Sequence, residues 1–264
     1  MLTKLADGTP IHCIKKPEAR MLDHHVNGYL QHGIQINPGD IVFDVGANVG
    51  VFGVRVLQKA SEVIVFCFEP IPEIANALRA NANLHGNGRM VVIQEGISNQ
   101  PGEATFTYFP NTPALSTAHP EQWDENPNAF KEAVKSTMKN PPESMRWMRW
   151  IPNVFSGLIA KYLVKGRHTV TCKLTTIAKV IETHKLDRID LMKIDCEGAE
   201  WDALMGIGDE HWAKIKSLVI EVHDEDGRLD QVKQLLIDHG FTNQVVEQEE
   251  GLENSKMYNL FALR

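Results

Sequence analysis

The 264-residue sequence has little that would staple, export or anchor it. Its four cysteines, Cys13, Cys67, Cys172 and Cys196, form no C-x-x-C pair and no paired framework. That argues against a zinc site, a redox motif or a disulfide scaffold, and for reduced thiols in a cytoplasmic protein. No apolar run approaches the ~18 residues that would span a bilayer, and the opening MLTKLADG lacks the apolar stretch of a secretion signal. Stable membrane insertion is therefore not expected. Excess positive charge is missing too. A formal net charge of −7 argues against a general nucleic-acid binder. What is present is 43% hydrophobic and 23% charged, enough for one full core with an elaboration.

The pattern along the chain divides into an N-terminal helical arm, 1–37, and a larger unit, 38–264. Residues 14–33 read as an amphipathic helix, with Pro17 near its start and Gly33 as a stop. Short apolar runs then alternate with helical spacing. Strands are predicted at 41–45, 62–68, 90–97, 189–194 and 217–222, with helices at 51–57, 72–84, 174–184, 199–205 and 232–239. A closing antiparallel hairpin is predicted from 245–248 and 257–263. Such alternation implies an α/β fold, a doubly wound, mostly parallel seven-stranded sheet with right-handed crossovers. About 75 residues separate the third strand from Leu174, far more than one crossover needs, and eight prolines break them up. The stretch of about 110–170 reads as a helical lid inserted between the third and fourth core strands.

In an open parallel sheet, ligands bind beyond the carboxyl ends of the strands. The first strand ends in Asp44-Val45-Gly46-Ala47-Asn48-Val49-Gly50. Gly46 lets the backbone turn tightly, and Gly50 allows close packing where the next helix begins. Glu69, followed by Pro70, ends the second strand 23 residues after Gly46, placed to accept both hydroxyls of a ribose. A dinucleotide would require a second glycine where Asn48 stands, and Asp44 would repel a pyrophosphate while suiting the ammonium of a methionine. With Gly96, Ile97 and Ser98 expected under an adenine, and Asp195 at the methionine end, these residues favour S-adenosylmethionine over a nicotinamide cofactor.

Three segments, IVFDVGANVGVFGVRV (41–56), VFCFEPIPEIANALRAN (65–81) and LTTIAKVIETHKLDRIDLMKIDCEGAEWDALMG (174–206), together resemble the FkbM family of methyltransferases. The run KIDCEGAE is the most specific of these, and weaker similarity covers Tyr29 in the arm and 111–118. The resemblance implies a class I methyltransferase fold and O-methylation of hydroxyls on polyketides, sugars or glycolipids. It implies that Asp44, Gly46, Asn48 and Glu69 hold S-adenosylmethionine. Two features depart from the family: Thr175 where Asp is frequent, and the long segment 119–167.

Methyl transfer to an alcohol needs a base that removes the proton as the bond forms. His223, where the fifth strand runs out, is the leading base, since an unperturbed imidazole titrates near about 6.5. His119 and His168, bordering the insertion, are its rivals. Asp195 and Glu197 orient the acceptor, contact the methionine end or take the proton themselves. Glu200 is as well suited to capping its helix. No metal is assigned; a divalent ion on Asp195, Glu197 and Glu221 is the alternative. The insertion carries Met145, Arg146, Trp147, Met148, Arg149, Trp150 and Phe155. Nine Lys or Arg against two Glu between 131 and 173 make it a local +7 in an otherwise acidic chain. That combination suits a lid over an apolar substrate, or a docking face for an acidic carrier protein bearing a tethered acyl chain. Alternatives are a carboxylate or amine acceptor, a nicotinamide-dependent oxidoreductase, and a non-catalytic module that keeps the fold.

Overall fold

The computed structural model describes residues 1–118, 134–135, 138, 150–248 and 256–264. His119 and the 145–149 part of the aromatic, basic run lie outside the described residues. A short antiparallel hairpin, β1 (Leu2–Lys4) and β2 (Pro10–His12), precedes helix α1 (Lys16–Gly28). The chain then runs through β3 (Ile41–Val45), α2 (Val51–Lys59), β4 (Ile64–Phe68), α3 (Pro72–Asn81), β5 (Met90–Ile93), β6 (Gly96–Ile97) and β7 (Gly102–Tyr108). After the insertion come α4 (Ser156–Leu163), β8 (His168–Thr175), α5 (Ile177–His184), β9 (Leu191–Ile194), α6 (Glu200–Met205), β10 (Ser217–His223), α7 (Arg228–Asp238), β11 (Asn243–Glu247) and β12 (Met257–Leu263).

Among the described residues, seven strands form one sheet in the order β11-β12-β10-β9-β3-β4-β5. The five strands from β10 to β5 are parallel, and the closing pair runs antiparallel, as the alternating pattern predicts. The strand order reverses at β3, which has β4 on one side and β9 on the other. The crevice for a ligand therefore lies where Val45 and Ile194 end.

Two segments differ from expectation. The predicted strand 90–97 is two elements, because only Met90–Ile93 pairs with β4. Gly96–Ile97 instead joins β8 in a separate three-stranded sheet, order β6-β8-β7. The insertion is thus not purely helical. Its base is a long antiparallel pair in which Gly102 faces Leu174 and Tyr108 faces His168, with α4 above it in sequence. Leu174 and Thr175 belong to this strand, and the helix starts only at Ile177, capped by the Thr176 hydroxyl accepting from the Lys179 amide.

Side-chain alternation along the parallel strands sets what each face carries. Phe43, Val45, Phe66, Phe68, Met192, Ile194, Leu218 and Ile220 pack with Ile177, Ile181, Leu204 and Leu236, the apolar positions of α5, α6 and α7. The opposite face carries Val42, Val65, Leu191 and Val219 under Val26, Phe52, Ile74 and Leu78 from α1, α2 and α3. Continuing this second face toward the carboxyl ends brings up Asp44, Glu69, Lys193, Asp195, Glu221 and His223. A single sheet face thus collects the polar residues that interrupt otherwise apolar strands.

Helix α1 closes over that face. Arg55 of α2 donates from Nε and Nη2 to the Asp23 carboxylate at 2.6 and 2.8 Å, a forked pair that fixes the two helices together. Asn81, fully buried, donates to the carbonyls of His12 and Val49 and accepts from the His12 amide. It ties the N-terminal hairpin to the loop after β3. Among the described residues, no helix is long and apolar enough to cross a membrane.

Candidate active site

The loop after β3 passes so close to β9 that residue 46 must be glycine. Its φ is +73°, and a Cβ would lie 1.7 Å from the Asp195 carbonyl oxygen. Asn48 is left-handed as well (φ +49°), a conformation asparagine tolerates better than most residues. Gly50 opens α2 at φ +85°, where a Cβ would press on Leu78 and Met90. These constraints carry the chain around one end of a cavity lined by Gly46, Ala47, Asn48, Glu69, Pro70, Lys193, Asp195, Cys196 and Glu197.

Glu69 faces this cavity while its carboxylate accepts backbone hydrogen bonds from Ile71 at 2.9 Å and Asn48 at 3.2 Å. Burial outweighs those donors and lifts its pKa to about 7. Asp44 is placed differently from the sequence reading. It is fully enclosed and does not line the cavity; its Oδ1 lies 3.3 Å from the Lys193 ammonium. The pair is held by charge more than by an aligned hydrogen bond. Burial pushes Asp44 up and Lys193 pulls it partly back. In that position the acid pairs with the lysine beneath the loop. Gly96 and Ile97 form a strand of the second sheet, and Ser98 follows it. Ser98 packs its carbonyl on Gly206, and none of the three lines the cavity.

Lys193 is the residue that sequence reasoning missed. It is 3% exposed, donates to the carbonyls of Gly46 (2.8 Å) and Val45 (3.3 Å), and sits 3.4 Å from Asp195. Its two acidic neighbours overcome burial and raise its pKa. A lysine inside the four-residue run Leu191–Ile194, buried throughout, was the available signal, since lysine is almost never fully buried unpaired.

The remaining charged groups form a cluster at the ends of β9 and β10. Asp195 accepts from the Tyr29 hydroxyl at 3.0 Å. Burial raises Asp195, but Lys193, His25, Tyr29 and His223 together hold it below the usual carboxylate range. Glu197 stands on a left-handed backbone (φ +53°), its carbonyl accepting from the Thr117 hydroxyl at 2.8 Å. Burial, then the charges of Asp195 and Glu221, push Glu197 well up. Glu200 accepts from the amides of Gly198 and Cys196, so it secures the turn before α6.

His223 sits behind this turn, 3.4 Å from Glu200 and 3.9 Å from Glu197. Burial lowers its pKa, but Glu200, Glu197 and Glu221 carry it to about 10. The ring is therefore a cation at neutral pH and has no free pair to take a proton. The unperturbed imidazole assumed for the leading base is thus not the state that these carboxylates favour. His168 is half exposed beside Tyr108 and Glu73, outside the cavity.

The opposite wall is apolar: Leu22 and Val26 of α1, Phe106 of β7, and Pro113 with Ala114 in the turn that follows it. Glu18 in α1 accepts from the Ala114 amide at 2.6 Å, and burial raises its pKa to about 7. Arm and insertion thus close the cavity jointly.

Comparisons with known proteins identify the family. Residues 44–242 match the Methyltransferase FkbM domain. The chain is 32% identical to the 31-O-demethyl-FK506 methyltransferase FkbM of Streptomyces tacrolimicus, over 99% of this chain and 96% of that one. It is also 32% identical to the AMB antimetabolite synthetase AmbE of Pseudomonas aeruginosa; the match covers 89% of this chain but only 11% of that much longer protein. The crystal structure of a methyltransferase FkbM from Methylobacillus flagellatus superposes with a TM-score of 0.51 at 12% identity, over 92% of this chain and 51% of that chain. With a fold of the class I methyltransferase type, a loop built on Gly46 and a family match across most of its length, the chain belongs to the FkbM family of methyltransferases.

Proposed function

We propose that the chain is an S-adenosylmethionine-dependent O-methyltransferase whose acceptor is a hydroxyl on a largely apolar natural product. The observation that carries this is the shared cavity. Glu69, the Gly46 loop, Asp195 and Glu197 line one cavity together, opposite an apolar wall. When bound, S-adenosylmethionine supplies a methyl group activated by its sulfonium. Glu69, anchored by the Asn48 and Ile71 amides, suits a pair of ribose hydroxyls, while Lys193 and Asp195 offer both signs of charge to the amino-acid end.

Glu197 takes the acceptor proton. Its raised pKa makes it a stronger base than an ordinary carboxylate, and the His223 cation keeps a fraction of it ionised. His223 is thus a positioning and charge-balancing residue. Leu22, Val26, Phe106 and Pro113 select an acceptor with an apolar body. The relative whose name specifies an O-demethyl natural product supports the hydroxyl. The local +7 of the 131–173 segment is what suggests a substrate held on an acidic carrier protein that docks there. Of the basic residues in that segment, Lys135, Lys161, Lys165, Arg167 and Lys173 are described.

Methyl transfer to a panel of polyketide alcohols, free and carrier-bound, tests the reading by mass spectrometry. Glu197→Gln is expected to lower the rate about 10²- to 10⁴-fold while leaving S-adenosylhomocysteine affinity intact. An unchanged rate would remove Glu197 as the base.

A further inference from the structure

We infer that the chain binds a divalent transition-metal ion between His25, Asp195 and Glu221, where the arm meets the carboxyl ends of β9 and β10. One ligand atom from each of the three lies within 4.8 Å of the others. His25 Nε2 stands 3.1 Å from Glu221 Oε2. Ligands held at about 2.1 Å and roughly at right angles on one ion are spaced by about 3 Å, so an ion fits between these atoms by replacing the direct hydrogen bonds His25 Nε2 shares with Glu221 and the Tyr29 hydroxyl. The Tyr29 hydroxyl, 3.0 Å from Asp195 and 3.4 Å from Glu221, adds a neutral oxygen beside them.

Two further observations point to a cation. Asn259 lies directly across from Glu221 in the β10–β12 pairing, hence on the same sheet face; it is 8% exposed and its Oδ1 has no hydrogen-bond partner. A metal-bound shell gives such an oxygen a use. The charge is also unbalanced. Asp44, Asp195, Glu197, Glu200 and Glu221 converge on this end of the sheet, with Lys193, His223 and, when protonated, His25 as the cations paired to them. A neutral imidazole with two carboxylates carries −2, which a divalent ion cancels. One nitrogen with several oxygens suits Mn²⁺, Fe²⁺ or Zn²⁺ better than Mg²⁺ or Ca²⁺, which take oxygen-rich shells. The set differs from the all-carboxylate trio considered from sequence, because Glu197 turns toward His223 and His25 of the arm takes its place.

Since His25 and Asp195 line the cavity, the ion would pin α1 over it and face the acceptor. That role rests on the proposed methyl transfer, but the binding itself does not. A second group, Glu182, Glu210 and His211, also has metal-ligand spacing, with both glutamates exposed, and serves as the control. The test is Mn²⁺ titrated into the full chain after chelator treatment, followed by the electron paramagnetic resonance of free Mn²⁺, with S-adenosylhomocysteine calorimetry alongside. Wild type is expected to take up Mn²⁺. His25→Ala and Glu221→Gln should weaken uptake by about 10- to 100-fold or more, and His211→Ala should leave it unchanged. Selective broadening of the His25 ring resonances in wild type gives the same answer without any variant. Absence of Mn²⁺ uptake, or uptake lost on His211→Ala and kept on His25→Ala, would overturn the site. Mn²⁺ uptake without S-adenosylhomocysteine binding would uphold the site and count against the proposed methyl donor.

Discussion

Replacing Lys193 by methionine keeps most of the side chain's volume and removes its charge, which leaves Asp44 enclosed with no cation beside it. Asp44 is 0% exposed and Lys193 3% exposed, so solvent screens neither. Breaking one partner of a buried pair costs about 3–5 kcal/mol. For a chain of this size that is a fall of about 10 °C in melting temperature. The cost depends on pH in a definite direction. Without Lys193 the folded-state pKa of Asp44 rises further above its unfolded value of about 3.9. A group raised in this way favours the fold fully below its unfolded pKa, and that contribution is lost as pH climbs through the folded pKa. The deficit relative to wild type should therefore be greatest above neutrality. It should shrink by about 1.4 kcal/mol per unit as the pH is lowered from the variant's folded-state pKa of Asp44 to the wild-type one. Urea unfolding at pH 5, 6.5 and 8 measures it. Adding Asp44→Asn to Lys193→Met should restore most of the loss by removing the orphaned charge. A deficit below about 1 kcal/mol, one that is flat with pH, or a double variant no better than the single would refute the ion pair as the support beneath the loop.

Gly46→Ala is expected to abolish S-adenosylhomocysteine binding and to destabilise the fold well beyond Gly39→Ala. Both glycines have positive φ, but only at Gly46 does the new Cβ meet backbone, so Gly39→Ala isolates the strain of about 1–2 kcal/mol; equal melting temperatures would contradict the collision. His223→Gln removes the cation that restrains Glu197, so the ascending limb of the kcat/KM against pH profile should move to higher pH. His223→Lys should move it back, whereas loss of the limb altogether would return the base role to the histidine.

The parallel sheet was legible because strands buried on both faces are mostly apolar runs: Ile64–Phe68 is one throughout, and Ile41–Val45 and Ser217–His223 are apolar except for Asp44 and for Ser217, Glu221 and His223. The second sheet was equally written in the residues. Ala104, Phe106 and Tyr108 alternate with Glu103, Thr105 and Thr107, and Val170, Cys172 and Leu174 alternate with Thr169, Thr171 and Lys173. Its prolines and its length drew attention away from that period of two. The cofactor loop could be read because its constraints are local. The pairing of Asp44 with Lys193 could not be read, because that lysine lies on a strand about 150 residues later. Likewise His25 and Tyr29 sit one turn apart on α1, but their partners Asp195 and Glu221 lie 166 to 196 residues away. No spacing rule connects them. His223 shows the same limit, since its identity suggested a base and only the surrounding carboxylates reveal a cation.

The most direct measurement of the central claim is calorimetry of S-adenosylhomocysteine binding to wild type and to Glu69→Ala, with melting temperatures checked for both. Two hydroxyl hydrogen bonds to a buried carboxylate are each worth about 1.5–3 kcal/mol. Wild type should bind, and the folded variant should bind about 100-fold more weakly or not at all. Absence of binding by wild type, or equal affinity in the variant, would contradict the placement of a methyl donor in this cavity.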